Sequence, residues 1–256
     1  MSAWIFTTEA PLYLPPCMQR VLAVHGDAVD RVILAGQPLG RFLRQQYRLF
    51  GPVDGLRMGS RYLRGRLLST LPPARQRSTT GTVHSVRDAA ALHGVPVERV
   101  SDISDPEFVD RVRRAEPELL LSIWCGQLFG PELLDVPEWP INFHPSLLPD
   151  YRGPTPEFWA LYHGDDRTGW TAHVMTEEFD EGPIIEQRGI EIGDESLHEL
   201  TQRLMDVGAE FVVDVLDRFP DAEFETRPNP ATDDDYCPAP TAAQRREFKR
   251  RGNRLL

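Results

Sequence analysis

The apolar run at residues 118–124, ELLLSIW, limits what this chain can fold into more than any other stretch. A continuous run of this kind is typical of a strand buried on both faces, as in a parallel sheet covered by helices. Shorter apolar segments occur at residues 4–7, 31–35 and 97–100. Because helical patterns separate these segments, the sequence predicts a doubly wound, mostly parallel α/β sheet.

Helical periodicity fills most of the chain around these strands. We predict helices at residues 16–25, 85–93, 106–115, 155–163 and 196–219, two further helices between residues 40 and 71 with a break at Gly51 and Pro52, and strands at residues 141–144, 171–175 and 183–192. Ser104 or Asp105 is expected to cap the helix at 106–115, and Thr155 the helix at 155–163. Residues 72–81 are predicted to form a loop.

The helix that precedes this loop carries an apolar stripe, which we assign to core packing. Three arginines beside the stripe leave a peripheral membrane surface or a lipid-linked substrate as the alternative. The stripe consists of Leu56, Tyr62 or Leu63, Leu67 and Leu71, and the arginines are Arg57, Arg61 and Arg64.

Composition changes after Phe219, where Pro, Asp, Asn and Thr dominate and a basic tail follows. We therefore predict a catalytic domain at residues 1–219 and a C-terminal extension at residues 220–256 that could supply a homodimer contact. No apolar run approaches the ~18 residues of a membrane span, and the first twenty residues lack a basic start, so a cytoplasmic protein is expected. The three cysteines lack metal-ligand spacing, so no metal site is predicted.

The net charge of -11 disfavours a nucleic-acid partner, although tRNA is not excluded. The charge is uneven, because nine arginines and a single acid, Asp54, lie between Arg41 and Arg77. Such a cluster could grip the phosphate of a substrate, since guanidinium groups bind phosphate oxygens in pairs. A solvated helix face is the equally acceptable alternative.

Polar residues stand at the end of the strand at residues 141–144. Asn142 and His144 share one face of this strand, and Pro145 ends it at once. Asp180 follows in an acidic loop. An amide, an imidazole and a carboxylate at one sheet edge suit acyl transfer: Asn142 can donate to an oxyanion, His144 can shuttle a proton, and Asp180 can orient the imidazole. Taken singly, each residue is more often structural.

The whole run from Ile141 to Ile185 resembles the 10-formyltetrahydrofolate-dependent formyltransferases. That family has the pattern Asn-x-His-x-Ser-Leu-Leu-Pro, then a turn ending in Gly, then Thr-Gly-x-Thr, then Asp-x-Gly-(Pro or Asp)-Ile. The matching residues are Asn142, His144, Ser146, Leu147, Leu148, Pro149, Arg152, Gly153, Thr168, Gly169, Thr171, Asp180, Gly182, Pro183 and Ile184.

The resemblance extends over residues 118–219 and implies the family's Rossmann-like fold, with 10-formyltetrahydrofolate as the formyl donor. It implies that Asn142, His144 and Asp180 are the catalytic set. The folate pocket is expected at Trp124, Gly126, Gln127 and Leu128, with Glu178 and Phe179. For Trp124, ordinary core packing is the alternative.

The acceptor is expected to be a small-molecule primary amine, because the chain is most similar to sugar N-formyltransferases and to the catalytic domain of methionyl-tRNA formyltransferases. A nucleotide-linked amino sugar would employ the arginine cluster. Thr155 stands where sugar N-formyltransferases often have Asn. The residues expected at the acceptor are Arg152, Thr155, Phe158, Trp159, Tyr162 and His173.

Three alternatives to this activity remain open, and glycinamide ribonucleotide transformylase is not one of them. The segment after the first strand, TTEAPLY, lacks the phosphate-binding glycines of glycinamide ribonucleotide transformylases and disfavours that branch. The extension is too short for the β-barrel of full-length methionyl-tRNA formyltransferases, which leaves a shortened form as one alternative. A 10-formyltetrahydrofolate hydrolase and a folate-binding or assembly protein without turnover are the others.

Overall fold

A computed structural model describes residues 2–36, 39–219 and 224–256, and for residues 39 and 41–43 it describes the backbone alone. Its strands form one seven-stranded sheet in the order β3-β2-β1-β4-β5-β6-β7. The strands are β1 Ala3–Thr7, β2 Val29–Ala35, β3 Val97–Val100, β4 Leu119–Ile123, β5 Trp139–His144, β6 Arg167–Val174 and β7 Ile184–Glu191.

The first five strands are parallel, and β6 and β7 are antiparallel to their neighbours. The predicted mostly parallel sheet is confirmed. A loop at residues 175–183 joins β6 to β7, and this is too short for the crossover that a parallel pair needs. The hairpin brings the predicted acidic loop back beside β5, because residue 174, just before the loop, pairs with residue 141 in the first half of that strand.

Helices cover both faces of the sheet, because successive strand residues enter opposite cores. Ile5 and Leu121 belong to one core, whereas Phe6 and Leu120 belong to the other. The helices are α1 Leu14–His25, α2 Leu39–Leu68, α3 Pro73–Thr80, α4 Val86–Ala91, α5 Pro106–Ala115, α6 Pro131–Leu134, α7 Pro156–His163, α8 Leu197–Leu216 and α9 Ala242–Arg250, with a 3₁₀ turn at Asp233–Asp235. No helix in these described ranges is long and apolar enough to cross a membrane.

Local signals for helix starts and breaks were correct in part. Gly51 has φ of 70° and interrupts α2 where the break was predicted. Asp105 caps α5 by accepting from the N–H groups of residues 107 and 108. The predicted loop at 72–81 is wrong, because Pro73 starts the helix α3 and Gly81, with φ of 80°, ends it.

The leucines at residues 56, 63 and 67 of the apolar stripe of α2 do not pack in the core, so the prediction is wrong for them, whereas Tyr62, the alternative to Leu63, packs against the core. Leu56, Leu63 and Leu67 are 77%, 60% and 62% exposed. The opposite side of the helix is the buried one, where Met58 is 3% exposed and Gly65 lies against Pro11. A small glycine and a flexible methionine allow close approach to the sheet domain, so the leucines face outward.

The C-terminal segment packs against the rest of the chain. Phe248 of α9 stacks on Phe158 of α7 with ring centroids 4.7 Å apart. Lys249 forms an ion pair with Asp54 of α2, and Tyr236 forms a backbone bridge with Arg152. The boundary at residues 219 and 220 and the homodimer contact stay predictions.

Candidate active site

A large cavity opens at the carboxyl ends of the parallel strands. Its lining includes residues that directly follow β1, β2 and β4, together with Asn142 and His144 of β5. The cavity has a volume of about 1320 Å³. Because one drug-sized ligand fills roughly 300–1,000 Å³, there is room for a donor and an acceptor side by side.

Asn142 joins two neighbours through its amide. Its Nδ2 donates to Asp180 Oδ1 at 3.1 Å and lies 3.1 Å from His173 Nε2. His173 Nδ1 lies 3.0 Å from the carbonyl of Val174 and donates to it, so Nε2 carries the lone pair that accepts from Asn142. His173, which was predicted at the acceptor, is 2% exposed and also lines the cavity. It therefore supports the orientation of Asn142 from below.

His144 presents one ring nitrogen to the carboxylate. Nε2 donates to the carbonyl of Tyr151 at 3.1 Å, and Nδ1 lies 3.5 Å from Asp180 Oδ1. Burial lowers the pKa of His144 below its ordinary value, and the positive charge of Arg152 acts in the same direction. Asp180 only partly offsets this effect. The imidazole is therefore neutral at pH 7, with Nδ1 available to accept a proton.

Asp180 is held as a carboxylate. Burial alone would raise its pKa, but the imidazoles of His144 and His173 and the N–H of Gly153 outweigh that effect and hold the pKa well below its usual range. Gly153 N–H donates to Oδ2 at 2.9 Å. Asp180 itself has φ of 55°, a left-handed conformation that Asp tolerates, and it lies in the loop between β6 and β7.

Arg152 fixes this loop and is not among the residues that line the cavity, so its predicted role at the acceptor stays a prediction that the geometry does not support. The side chain is 5% exposed. Its Nε donates to the carbonyl of Phe179 at 3.0 Å, one terminal nitrogen donates to the carbonyl of Thr232 at 2.7 Å, and the other pairs with Glu181. All the nitrogens of the guanidinium thus bind other groups of the protein, including the two residues that flank Asp180 in the loop.

The aromatic residues of α7 also lie away from the cavity. Phe158 is fully buried against Phe248, Trp159 Nε1 donates to the carbonyl of Pro238 at 3.1 Å, and the Tyr162 ring lies 4.3 Å below the Arg251 guanidinium. The C-terminal segment covers this side of the helix, so the geometry does not support their predicted role at the acceptor, which stays a prediction.

Thr155, at the start of α7, does line the cavity. The predicted side-chain cap is wrong, because its Oγ1 donates to the carbonyl of Pro154 at 2.6 Å and its φ is 60°. The residues that remain available to an acceptor from the predicted set are therefore Thr155 and His173.

All six residues predicted at the folate line the cavity. Leu128 and Phe179 are 45% and 51% exposed, so their apolar surfaces are available to a ring system. The Trp124 ring stands edge-on to Tyr13 with centroids 5.7 Å apart. The Gln127 side chain, however, holds its own loop by donating to the carbonyl of Ser101 at 3.0 Å and accepting from Ile103 N–H.

Basic residues also line the cavity. Arg44, Arg48 and Arg66 come from the predicted arginine cluster, while Arg57, Arg61 and Arg64 lie outside the lining. Further lining residues were not predicted, among them His84, Arg87, Arg99, Glu9, Tyr13 and Glu157. Arg99 could have been found from its position near the carboxyl end of the strand at 97–100, because ligands of such sheets bind beyond the strand ends.

The sequence also matches known proteins. The model of the formyl transferase family matches residues 74–216, more than half of the chain. The chain belongs to the formyl transferase family. This match includes the cluster of Asn142, His144 and Asp180 and confirms the family predicted from the sequence.

A methionyl-tRNA formyltransferase from Citrifermentans bemidjiense is 35% identical over 179 residues, which is 69% of this chain and 52% of that protein. The chain thus spans about half the length of the curated relatives it matches. A likely sugar N-formyltransferase from Mycobacterium tuberculosis aligns over 93% of this chain and 75% of its own, with 23% identity and a TM-score of 0.57.

An N-formyltransferase from Helicobacter canadensis, solved with folinic acid and dTDP-3-aminofucose, aligns over 93% of this chain and 71% of its own, with 15% identity and a TM-score of 0.62. At such identity these two structures establish the shared fold and leave the acceptor of this chain undetermined.

Proposed function

We propose that this chain transfers a formyl group from 10-formyltetrahydrofolate to a primary amine, with Asn142, His144 and Asp180 as the catalytic residues. The observation that carries the proposal is the meeting of amide, imidazole and carboxylate within 3.5 Å at the wall of a cavity large enough for both substrates. Membership of the formyl transferase family supports the same chemistry.

The first step in this proposal is proton removal from the acceptor. Asp180 attracts the ammonium form of the amine, and His144 Nδ1 receives the proton, since this nitrogen is unprotonated and its ring partner Nε2 is committed to Tyr151. The neutral amine then attacks the formyl carbon of the donor. Burial of the pair strengthens both electrostatic effects because water screens them less.

Asn142 and His144 stabilise the tetrahedral intermediate. The Asn142 amide exchanges its contact with His173 for the developing oxyanion, and the protonated His144 donates from Nδ1. Breakage of the carbon–N10 bond releases tetrahydrofolate, which takes a proton from His144. The second proton of the amine passes to solvent through a water molecule at Asp180. This step yields the formamide and returns the site to its resting state.

For the acceptor we propose a nucleotide-linked amino sugar or a related small metabolite. Arg44, Arg48, Arg66, Arg87 and Arg99 line the same cavity as the catalytic residues. Guanidinium groups at this density suit a diphosphate bridge, because each can bind two phosphate oxygens.

Methionyl-tRNA is the second candidate, because the curated relatives named above are methionyl-tRNA formyltransferases. Binding of tRNA would require the basic residues outside the cavity to contact the acceptor stem as well. Affinity for tRNA would then fall steeply with added salt, in proportion to the number of phosphates contacted.

The test incubates the purified chain with 10-formyltetrahydrofolate alone, and then with nucleotide-linked amino sugars or with methionyl-tRNA. Release of tetrahydrofolate and the mass of the acceptor are followed. We expect release only with an amino sugar, which gains one formyl group, and none in His144→Ala. Release without an acceptor would instead identify a hydrolase. Folate binding with no release under any condition would contradict the proposed transfer.

A further inference from the structure

Glu157 is a buried carboxyl at the cavity that the proposed chemistry does not use. It lies in the first turn of α7, is 6% exposed, and lines the cavity beside Thr155 and Thr201. Four residues before it, Gly153 holds Asp180. The same short stretch of chain therefore fixes the catalytic carboxylate and this second carboxyl.

Among the residues that the structure describes, the donors around the Glu157 carboxyl are its own backbone N–H and the Thr201 hydroxyl, and neither reaches Oε2. Its Oε2 is buried and has no partner there. Its Oε1 lies 3.4 Å from Thr201 Oγ1, but that hydroxyl has one proton and gives it to the carbonyl of Leu197 at 2.8 Å. The hydroxyl of nearby Tyr13 is engaged with His198 Nδ1 at 2.7 Å.

Burial raises the pKa of Glu157 to about 7. A buried polar group without a partner destabilises a fold, whereas an apolar side chain of similar volume would not. Neighbouring positions on α7, Phe158 and Trp159, are apolar and well packed. The free-energy cost of burying this carboxyl without a full set of hydrogen bonds is therefore best explained by a ligand group that donates to it when the cavity is filled.

We propose that Glu157 is an acceptor-recognition residue, which accepts a hydrogen bond from an O–H or N–H group of the acceptor other than the amine that is formylated. This inference rests on the proposed function. It predicts that the acceptor carries a second donor group, either a hydroxyl or another amine, and that the site discriminates against analogues in which this group is replaced by hydrogen.

The experiment compares the unmodified chain with Glu157→Leu and Glu157→Gln, and with Glu210→Leu as the control, an exposed carboxyl of α8 that is not part of the cavity lining. Each is assayed with an amino-sugar acceptor and with its deoxy or monoamino analogues. We expect the unmodified chain to prefer one complete acceptor over its analogue by about 10²-fold or more in kcat/KM, and Glu157→Leu to lose this preference. Glu157→Gln keeps the volume and is expected to retain part of the preference, and Glu210→Leu to retain nearly all of it.

Thermal unfolding gives a second measurement that does not depend on turnover. Glu157→Leu is expected to raise the unfolding midpoint by about 2–8 °C, because it removes an unsatisfied buried group. A lower midpoint, or an unchanged preference among acceptors, would overturn the inference. If the parent formylated no acceptor, the proposed function would fail, and the midpoint would still decide whether Glu157 is unsatisfied.

The exposed side of α2 supports a separate inference. We define the leucine face as Val53, Leu56, Leu63 and Leu67, which are 60% to 77% exposed. With Ser60 they recur at alternating steps of three and four residues, so they form one straight stripe. The stripe covers about 20 Å of helix.

The border of the leucine face is basic although the protein is acidic overall. Arg57, Arg61, Arg64 and Arg66 are exposed along it. The acid of this half of the helix, Asp54, is buried and pairs with Lys249 and with Arg57. This leaves Arg61, Arg64 and Arg66 as the border arginines without an acid on this half of the helix. A second copy of the chain would bring arginines against arginines, whereas a flat anionic surface would satisfy both the apolar stripe and its border.

From this complementarity we infer that the leucine face binds an anionic lipid surface. Arg66, Met58 and Tyr62 on the same helix line the cavity. A helix lying in the lipid interface would therefore hold the cavity close to the membrane plane, where an acceptor linked to lipid could enter.

The test is sedimentation of the full chain with phosphatidylcholine vesicles, with and without phosphatidylglycerol. We expect binding to the anionic vesicles that salt weakens and that Leu56→Ser with Leu63→Ser reduces more than tenfold. The control is Val24→Ser, which changes another exposed apolar residue on α1. No binding, or equal binding by the double variant, would refute the inference. A dimer of the parent chain that the double variant abolishes would assign the leucine face to a second copy.

Discussion

Replacement of Arg152 by methionine tests whether this residue holds the catalytic loop or binds substrate. Methionine keeps much of the side-chain volume but leaves two carbonyls, those of Phe179 and Thr232, and the Glu181 carboxylate without their donor. Loss of one partner of a buried ion pair typically costs about 3–5 kcal/mol. Because Glu181 is 35% exposed and can be solvated, the lower end, about 3 kcal/mol, applies.

For a chain of this size, each kcal/mol lowers the unfolding midpoint by about 2–4 °C, so Arg152→Met is expected to unfold about 6–12 °C below the parent. The turnover number should fall as well, since the loop that bears Asp180 is no longer fixed. The matched control is Arg113→Met, whose exposed pair with Asp110 contributes at most about 1 kcal/mol. An unchanged midpoint with a raised KM for the acceptor would refute this reasoning and restore a substrate-binding role.

Three further predictions concern the site and the core. Asn142→Ala is expected to lower the turnover number by about 10²–10³ with little change in unfolding, because it removes one oxyanion donor. The rate should rise with pH as His144 loses its proton, and the midpoint of this rise should lie below the ordinary value for histidine because the pKa of His144 is lowered. Asp180→Asn removes the negative charge that opposes this lowering. In that variant the midpoint should therefore move further down, and the plateau rate should fall. Gly208→Ala is expected to cost about 1–3 kcal/mol in urea unfolding, because a Cβ would lie 2.5 Å from the Trp170 ring.

Controls separate each of these effects from general damage. Asn253→Ala removes an amide that holds a backbone carbonyl of α7 and should leave the rate intact. Gly193→Ala adds a Cβ that meets no atom within 4 Å and should leave the free energy of unfolding unchanged. The site predictions would fail if Asn142→Ala kept the parent rate, or if the midpoint of the pH profile rose in Asp180→Asn. A neutral Gly208→Ala would contradict the packing described for α8.

The sheet and the three clustered residues could be predicted because their signals are local. The run at residues 118–124 and the ends of β5 and β6 follow from strand periodicity, and Asn142 and His144 belong to one strand end. The acceptor assignments on α7 that the geometry does not support depend on contacts far along the chain. Phe158 packs against Phe248, ninety residues later, and no local pattern reveals this partner.

The leucine face of α2 shows a related limit of sequence patterns. Periodicity finds that a helix has two sides, but it does not say which side meets the protein. Here Met58 and Gly65 permit the closer approach and are buried. Glu157 escaped prediction for another reason, because a glutamate in the first turn of a helix is ordinarily explained by the helix dipole.

The bridge between Arg152 and the C-terminal segment also affects when the site becomes competent during synthesis. The contacts of Arg152 with residues 232, 235 and 237 join parts of the chain about eighty residues apart. Chains leave the ribosome from the N-terminus, and the sheet can form before these residues emerge. The loop that bears Asp180 therefore reaches its final position only after residues 232–237 have emerged, so a nascent chain that stops short of them would hold the folded sheet without the Asp180 carboxylate fixed in place.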